Sequence, residues 1–410
     1  MRHVLKPLLR HRMMPTLVVL QVALACAIAC NALFLLQQRL VPILAPVGIG
    51  SPEHLLIAHD IAARGDPWST SRLHQAEMAL RTIPGVSSAS IAGSVPMISN
   101  VQMNGDMIGD GTGNKANGNV YIGTHMVDTL GLKLVAGRDF TEVEDSVQYP
   151  DVGINSSGPV LITRALADRL FPGQSPLGRV VRMGTDDDAA RRTIVGVVEH
   201  LMRNQLTQDN RDIIDYTLVF PGIPGQWPIP TFGVRTNTPD LERVRKAVKS
   251  TIQRELGAEM LAGFEPRYDT FGELRDDALR QFRASVWLLS GVSLIVLLVA
   301  LVGIMGLTSY WVQQRTRQIG IRRALGARRS NILRDVQLEN LLVVGAGIVL
   351  GMALAYAINF WLMRHYELPR LPWPYLPVGA LLILALGQLA VLGPALRAAA
   401  VPPVVATRSV

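Results

Sequence analysis

Four long stretches without a charged side chain constrain this sequence more than any other feature. Residues 13–38, 284–314, 340–363 and 371–396 contain no Asp, Glu, Lys or Arg, giving runs of 26, 31, 24 and 26 residues. A helix needs about 20 apolar residues to cross a hydrocarbon core of about 30 Å. The runs therefore predict four transmembrane helices, over 14–36, 286–312, 341–363 and 376–396. Polar residues inside them (Gln21, Asn31, Asn359, Gln388) are sparse, and within a helix such side chains bond to neighbouring helices or snorkel to an interface. The first run follows Arg2, Lys6, Arg10 and Arg12 but is too long for a signal-peptide core of about 7–15 residues, so it reads as an uncleaved anchor. The only two cysteines, Cys26 and Cys30, lie within it one helical turn apart and read as small packing residues.

The 410 residues are 49% hydrophobic and 18% charged, which excludes disorder and argues against a purely soluble protein. A net charge of +8 would point to nucleic acid if it were spread over a soluble surface. It is not spread. Residues 37–285 carry 25 basic and 29 acidic side chains, whereas the rest carries 15 basic and 3 acidic. Lys and Arg near membrane spans mark the cytoplasmic side. The flank 1–13 and the loop 313–340 are strongly basic, the latter through Arg315, Arg317, Arg322, Arg323, Arg328, Arg329 and Arg334. Both are expected inside, with 37–285 and the short loop 364–375 outside and the tail 397–410 inside. The excess charge thus describes a membrane topology, and no nucleic-acid partner is expected.

The segment 37–285 is large enough for its own core. Ser71–Ile83 has apolar residues at helical spacing, Pro84-Gly85 stops it, and Val86–Ala92 reads as a strand. Phe232–Thr236 reads as a second strand, followed by a helix from Thr238-Pro239 to Gly257. Two strand-and-helix units, within 51–98 and 230–266, predict a split α+β subdomain. Strand-like runs at 159–163, 180–183, 193–198 and 215–220 make the insertion 119–225 β-rich, with a short helix at 164–171. Met103–Asn119, rich in Gly, Asn and Asp, is expected to be a mobile loop. Asp186-Asp187-Asp188 reads as a solvated turn, and each of the eight histidines is expected to have a surface or capping role. Residues 267–285 are expected to form a stalk helix running into the second membrane span.

No phosphate loop, H-E-x-x-H, G-x-S-x-G or Cys-x-x-Cys motif occurs, so no catalytic residue and no metal site is expected. The uncharged spans also lack the acid or His relay of a proton-driven carrier. If the protein moves something, another polypeptide must supply the energy.

The loop 315–334, RTRQIGIRRALGARRSNILR, is the most informative segment. By itself it is a basic amphipathic element suited to anionic lipid or to a cytoplasmic partner. Arg315, the run Ile319-Gly320-Ile321-Arg322-Arg323-Ala324-Leu325-Gly326-Ala327, then Ile332-Leu333-Arg334 and Leu338-Glu339-Asn340-Leu341-Leu342 resemble the MacB/FtsX-type (type VII) permeases of ABC transporters. The resemblance extends to Val135–Phe140, Ala167–Gly173, Pro176–Gly178 and Ile194–Val198, which look like that family's periplasmic core, and to Pro394–Arg397 with Pro402-Pro403, which look like its tail. Gln318 stands where the family usually has Glu.

The resemblance implies four transmembrane helices with a large α+β extracytoplasmic domain between the first two. It implies a multi-pass protein of a bacterial inner membrane with both termini cytoplasmic. The chain resembles a stand-alone permease without the fused ATPase domain, which implies a separate cytoplasmic ABC ATPase subunit holding ATP and Mg. No cofactor is expected on this chain. Arg315, Ile319, Gly320, Ile321, Arg322, Arg323, Ala324, Leu325 and Gly326 would couple to that ATPase, and Gly347 and Gly351 would mark close helix packing. Further implied partners are a second permease, identical or related, a periplasmic adaptor and an outer-membrane channel. The expected function is ATP-driven export of peptides, antibiotics or similar amphiphiles by mechanotransmission. The alternatives are lipoprotein or lipid extraction and regulation of a cell-wall hydrolase.

Overall fold

Leu55–His59 is an apolar run without alternation, the pattern of a strand covered on both faces. In the computed structural model it is such a strand. Residues 13–98, 103–149, 155–184, 189–204, 213–366 and 370–400 are described. They fall into two compact units, Pro42–Gln281 and the combination of Met1–Val41 with Phe282–Val410.

The described chain begins with α1 (Met13–Leu44). Then come β1 (Leu55–His59), α2 (Thr70–Arg81), β2 (Val86–Ala92), β3 (Asn104–Gly109), β4 (Lys115–Gly123), α3 (Met126–Leu130), β5 (Leu134–Gly137) and α4 (Glu142–Asp145). Next are β6 (Gly158–Thr163), α5 (Arg164–Leu170), β7 (Val180–Met183), β8 (Ala190–Val198) and β9 (Thr217–Pro221). The unit closes with β10 (Thr231–Thr236), α6 (Leu241–Leu256) and β11 (Arg267–Thr270).

Strands β11, β1, β10 and β2 lie side by side in that order, every neighbour antiparallel. This is a double split β-α-β unit, with α2 and α6 as its two helices. Leu73, Ala76 and Leu80 of α2 and Val244, Val248, Ile252 and Leu256 of α6 pack on Leu56, Ala58, Ala89, Ile91, Phe232 and Val234 of the sheet. Side chains alternate along β1, so Leu55 and Ile57 face the other way, into a second core shared with Met126, Leu130, Phe271 and Leu274. Side-chain caps start the two helices. Ser69 accepts from the Arg72 N–H at 3.4 Å and Asp240 from the Arg243 N–H at 3.1 Å.

The insertion is a closed ring. β4, β3, β7, β8, β6 and β9 pair in sequence, and β9 returns to β4 in parallel. Met107, Val120, Ile122, Val160, Ile162, Val181, Ile194, Leu218 and Phe220 fill it, together with Leu166, Leu170 and Phe171 at α5. Closure leaves these strands no free edge.

Three expectations are corrected here. Residues 104–119 form most of a hairpin, with Asn104 opposite Asn119 and Ile108 opposite Lys115, and are not a loop. Its polar residues flank a buried Met107-Ile108 pair, so few apolar residues sufficed, and the β-rich insertion begins before residue 119. Residues 267–270 are strand β11 paired with β1, so the helix expected over 267–285 starts only at Phe271. His59 is no surface histidine: it is buried on β1, with Nε2 3.0 Å from Asp269 Oδ2 and Nδ1 3.2 Å from Asp60 Oδ2. The Asp186-Asp187-Asp188 run lies outside the described residues.

The other unit consists of α1 up to Val41, of α7 (Phe271–Gln314) from Phe282 on, and of α8 (Thr316–Ala324), α9 (Arg329–Tyr366) and α10 (Tyr375–Ala400). Four of these helices, all but α8, are long and apolar enough to cross a membrane. Each overruns its uncharged run at one end or both. Val18, Val22, Ala25, Cys26, Ala29 and Cys30 of α1 form a core with Ala300 and Ile304 of α7, Val344 and Ile348 of α9, and Ile383 and Val391 of α10. Three polar residues of the spans bond beyond their own helix. Gln21 donates to the Val299 carbonyl at 2.9 Å, Asn31 to the Ala355 carbonyl at 3.2 Å, and Asn359 accepts from the Leu371 N–H at 2.9 Å. Both cysteines are buried and free, their thiols directed at the Ile348 and Leu376 carbonyls.

Gly347 and Gly351 sit where α9 meets α1. A Cβ on Gly347 would come within 2.7 Å of Val22, and one on Gly351 within 2.6 Å of Cys26 and 2.7 Å of the Ala23 carbonyl. Only hydrogen fits between these backbones.

Candidate docking element

The basic loop folds into a short helix with one face held and one face open. α7 ends at Gln314, and α8 follows at Thr316, whose hydroxyl donates to the Val312 and Gln313 carbonyls at 3.1 and 2.9 Å. Gly326 ends α8. It adopts φ +99°, and the Ala327 N–H reaches back to the Arg322 carbonyl at 3.1 Å, a Schellman-type stop that favours glycine. α9 then starts at Arg329. Gly320, by contrast, is buried in the middle of α8 and breaks nothing.

Two ion pairs hold the element against α9. Arg315 Nη1 lies 3.1 Å from both Glu339 oxygens, and its guanidinium stacks over the Trp311 ring at 4.1 Å. Arg322 Nη1 is 3.3 Å from Asp335 Oδ2. The Arg315 pair is mostly shielded, and a buried cation matched by a carboxylate is costly to break. The Arg322 pair is half exposed and holds less.

At 100° per residue, Ile319 and Arg322 share one face of α8 with Gln318 at its edge, whereas Arg317 and Ala324 lie nearly opposite with Ile321 beside them, and Leu325 follows in the turn before Gly326. The first set lines a cavity of about 730 Å³ together with Trp311, Asp335 and Glu339. Away from the cavity Ile321 is 46% and Leu325 83% exposed. Two bare apolar side chains in an arginine-rich stretch of chain form a small hydrophobic anchor.

Of the residues expected at the coupling site, Arg315, Ile319 and Arg322 face the cavity, Gly320 is buried, and Ile321, Ala324 and Leu325 face outward with Gly326. The side chain of Arg323 lies outside the described ones. Sequence reasoning missed the partners Trp311, Asp335 and Glu339. Asp335 and Glu339 are the only acids between Arg283 and Glu367, and that rarity was the available signal.

Residues 290–403 match the family model of the FtsX-like permease C-terminal, and residues 49–251 that of the MacB-like periplasmic core domain. These define an ABC-transporter permease. With both models in one polypeptide, the chain belongs to the MacB/FtsX-type permease family, and it is a multi-pass membrane protein. It is 29% identical over 256 residues to the macrolide export ATP-binding/permease protein MacB of Neisseria gonorrhoeae, and 30% identical over 255 residues to that of Shewanella sp. strain W3-18-1. In each case the match covers 60% of this chain and 36% of the relative, so the chain spans about a third of the length of these curated relatives. It is also similar to the crystal structure of the periplasmic region of MacB from Actinobacillus actinomycetemcomitans, with 15% identity and a TM-score of 0.36 over 57% of this chain and 96% of that one.

Proposed function

We propose that this chain is the permease subunit of an ATP-driven type VII ABC exporter, working with an ATPase on a separate polypeptide. The observation that carries this reading is the exposure of Ile321 on α8 and of Leu325 in the turn that follows it, while Arg315 and Arg322 tie the element to α9. A helix pinned on one side moves as a body with the helix it is pinned to. Motion of a protein bound at Leu325 would then pass into α9 through the Arg315–Glu339 pair.

The ATPase would bind α8 from the cytoplasm, where the positive-inside rule puts seven arginines of this loop and both termini. ATP and Mg would be held by that subunit. α7 runs from Phe271 to Gln314 as one helix, which supports its use as the rod that carries ATPase closure to residues 37–285. Macrolide export, named for the relatives, supports export of amphiphiles such as antibiotics or peptides. The permease would act as a pair, identical or related, with a periplasmic adaptor and an outer-membrane channel.

The test is co-purification from the native host. Wild-type permease should retain an ABC ATPase and a periplasmic adaptor. Leu325→Asp should lose the ATPase while inserting normally, because a charge at the centre of an apolar anchor is left without a partner. Retention of the ATPase by Leu325→Asp would remove α8 as the docking element. A bound lipoprotein or a cell-wall hydrolase in place of the adaptor would replace the export reading.

A further inference from the structure

The inward face of α8 raises a separate question, because docking through Ile321 and Leu325 leaves the cavity behind it unused. Three arginines, Arg315, Arg322 and Arg334, line that cavity against two carboxylates, Asp335 and Glu339. Both carboxylates are taken, Glu339 by Arg315 and Asp335 by Arg322. The guanidinium of Arg334 has no partner among the described residues. Gln318 on the facing wall adds an amide and no charge, so among the described residues the cavity keeps one unmatched cation.

The rest of the lining is what a membrane boundary provides. Trp311, Val312, Val336 and Leu338 form its apolar part, where the uncharged run of α7 ends and just before that of α9 begins. Tryptophan is enriched at that depth because its ring is amphipathic. From the cavity, Leu338, Leu341 and Leu342 continue along one face of α9 at i, i+3 and i+4, and are 38%, 40% and 44% exposed. A free phosphate would use the cation and leave this apolar track idle. A phospholipid would use both.

We propose that the cavity between α8 and α9 binds an anionic phospholipid, its headgroup held by Arg334, Arg322 and the Gln318 amide, with an acyl chain laid along Leu338, Leu341 and Leu342. This goes beyond the docking assignment and does not depend on it, since the lipid would use residues that line the cavity and the ATPase Ile321 and Leu325, which do not line it. A lipid in this place would brace α8 against α9 from within and make the stiffness of the coupling element depend on membrane composition.

The experiment uses the purified full chain without any ATPase, exchanged into mixed micelles of phosphatidylglycerol or phosphatidylcholine, with retained lipid counted by native mass spectrometry. Wild type should hold phosphatidylglycerol in preference to phosphatidylcholine. Arg334→Gln, which removes the unmatched cation, and Gln318→Glu, which neutralises it in place, should each lower phosphatidylglycerol retention about fivefold and leave phosphatidylcholine unchanged, as expected for one basic contact. Arg328→Gln, an exposed arginine outside the cavity, should change neither. Equal retention of the two lipids by wild type would overturn the proposal. So would a loss in Arg328→Gln as large as in Arg334→Gln, which would mean diffuse surface attraction. Displacement of the lipid by inorganic phosphate as readily as by soluble phosphatidylglycerol would also overturn it, in favour of a simple anion site.

Discussion

Glu144 shows how a single side chain can make part of the extracytoplasmic unit sensitive to acid. Its carboxylate receives two bonds from Arg138, at 2.8 and 2.9 Å, and one from the Thr141 N–H at 2.7 Å, completing a capping box with the Thr141 hydroxyl. The Arg138 hydrogen bonds, helped by Thr141, hold its pKa down at about 2. The folded value lies below the ordinary glutamate value of about 4.3, so the stabilisation is present above that pH and is lost as pH falls through about 2. Glu144→Gln should therefore melt below wild type at pH 6, and the gap should close between about pH 4 and pH 2 in paired thermal melts. Gly351 is a packing counterpart. Its missing Cβ would meet the backbone of α1, whereas a Cβ on Gly345 in the same helix would meet nothing within 4 Å. Gly351→Ala should cost about 1–3 kcal/mol and Gly345→Ala almost nothing, measured as melting shifts of the detergent-purified protein.

Among the elements, the start of α7 was the least legible in the sequence. Arg267–Arg283 has apolar residues at helical spacing, yet its first four residues join β1 as strand β11. What separates strand from helix is a local signature that periodicity does not see. Thr270 accepts from the Glu273 N–H at 3.2 Å, and Glu273 accepts from the Thr270 N–H at 2.7 Å. Thr270→Ala should cost about 1 kcal/mol and raise hydrogen exchange over residues 271–274, and unchanged exchange there would count against the cap. The β3–β4 hairpin was misjudged for a different reason. Its strands are polar on most positions, and only pairing with β7 and β9 in a closed ring gives them a buried side. β2, β6, β7, α2 and α6 were legible because their apolar spacing and stop signals are local. At the docking element, the arginines and the exposed Leu325 could be picked out by residue type, but which arginines face inward depends on Asp335 and Glu339.

For the whole molecule, charge placement makes a sharper prediction than any contact. With 25 basic and 29 acidic residues in 37–285 and seven arginines against two acids in 313–340, these two regions should lie on opposite sides of the membrane. Single cysteines at Ser71 and Ser330, in a background where Cys26 and Cys30 are buried, should react with an impermeant maleimide from opposite faces of sealed vesicles. Labelling of both from one face would invert half of the topology.

The sequence by itself determined that four helices span a bilayer, that a large domain lies between the first two, and which family pattern the basic loop carries. Each of these rests on composition over a continuous stretch, because crossing a hydrocarbon core demands an unbroken apolar run and a topology demands charge on its flanks. Only the tertiary structure decided that residues 104–119 are strands, that His59 is buried against Asp269, and that α8 has a held face and an open one. Those depend on residues tens to hundreds of positions apart, such as His59 with Asp269 and Arg315 with Glu339, whose meeting no local spacing encodes.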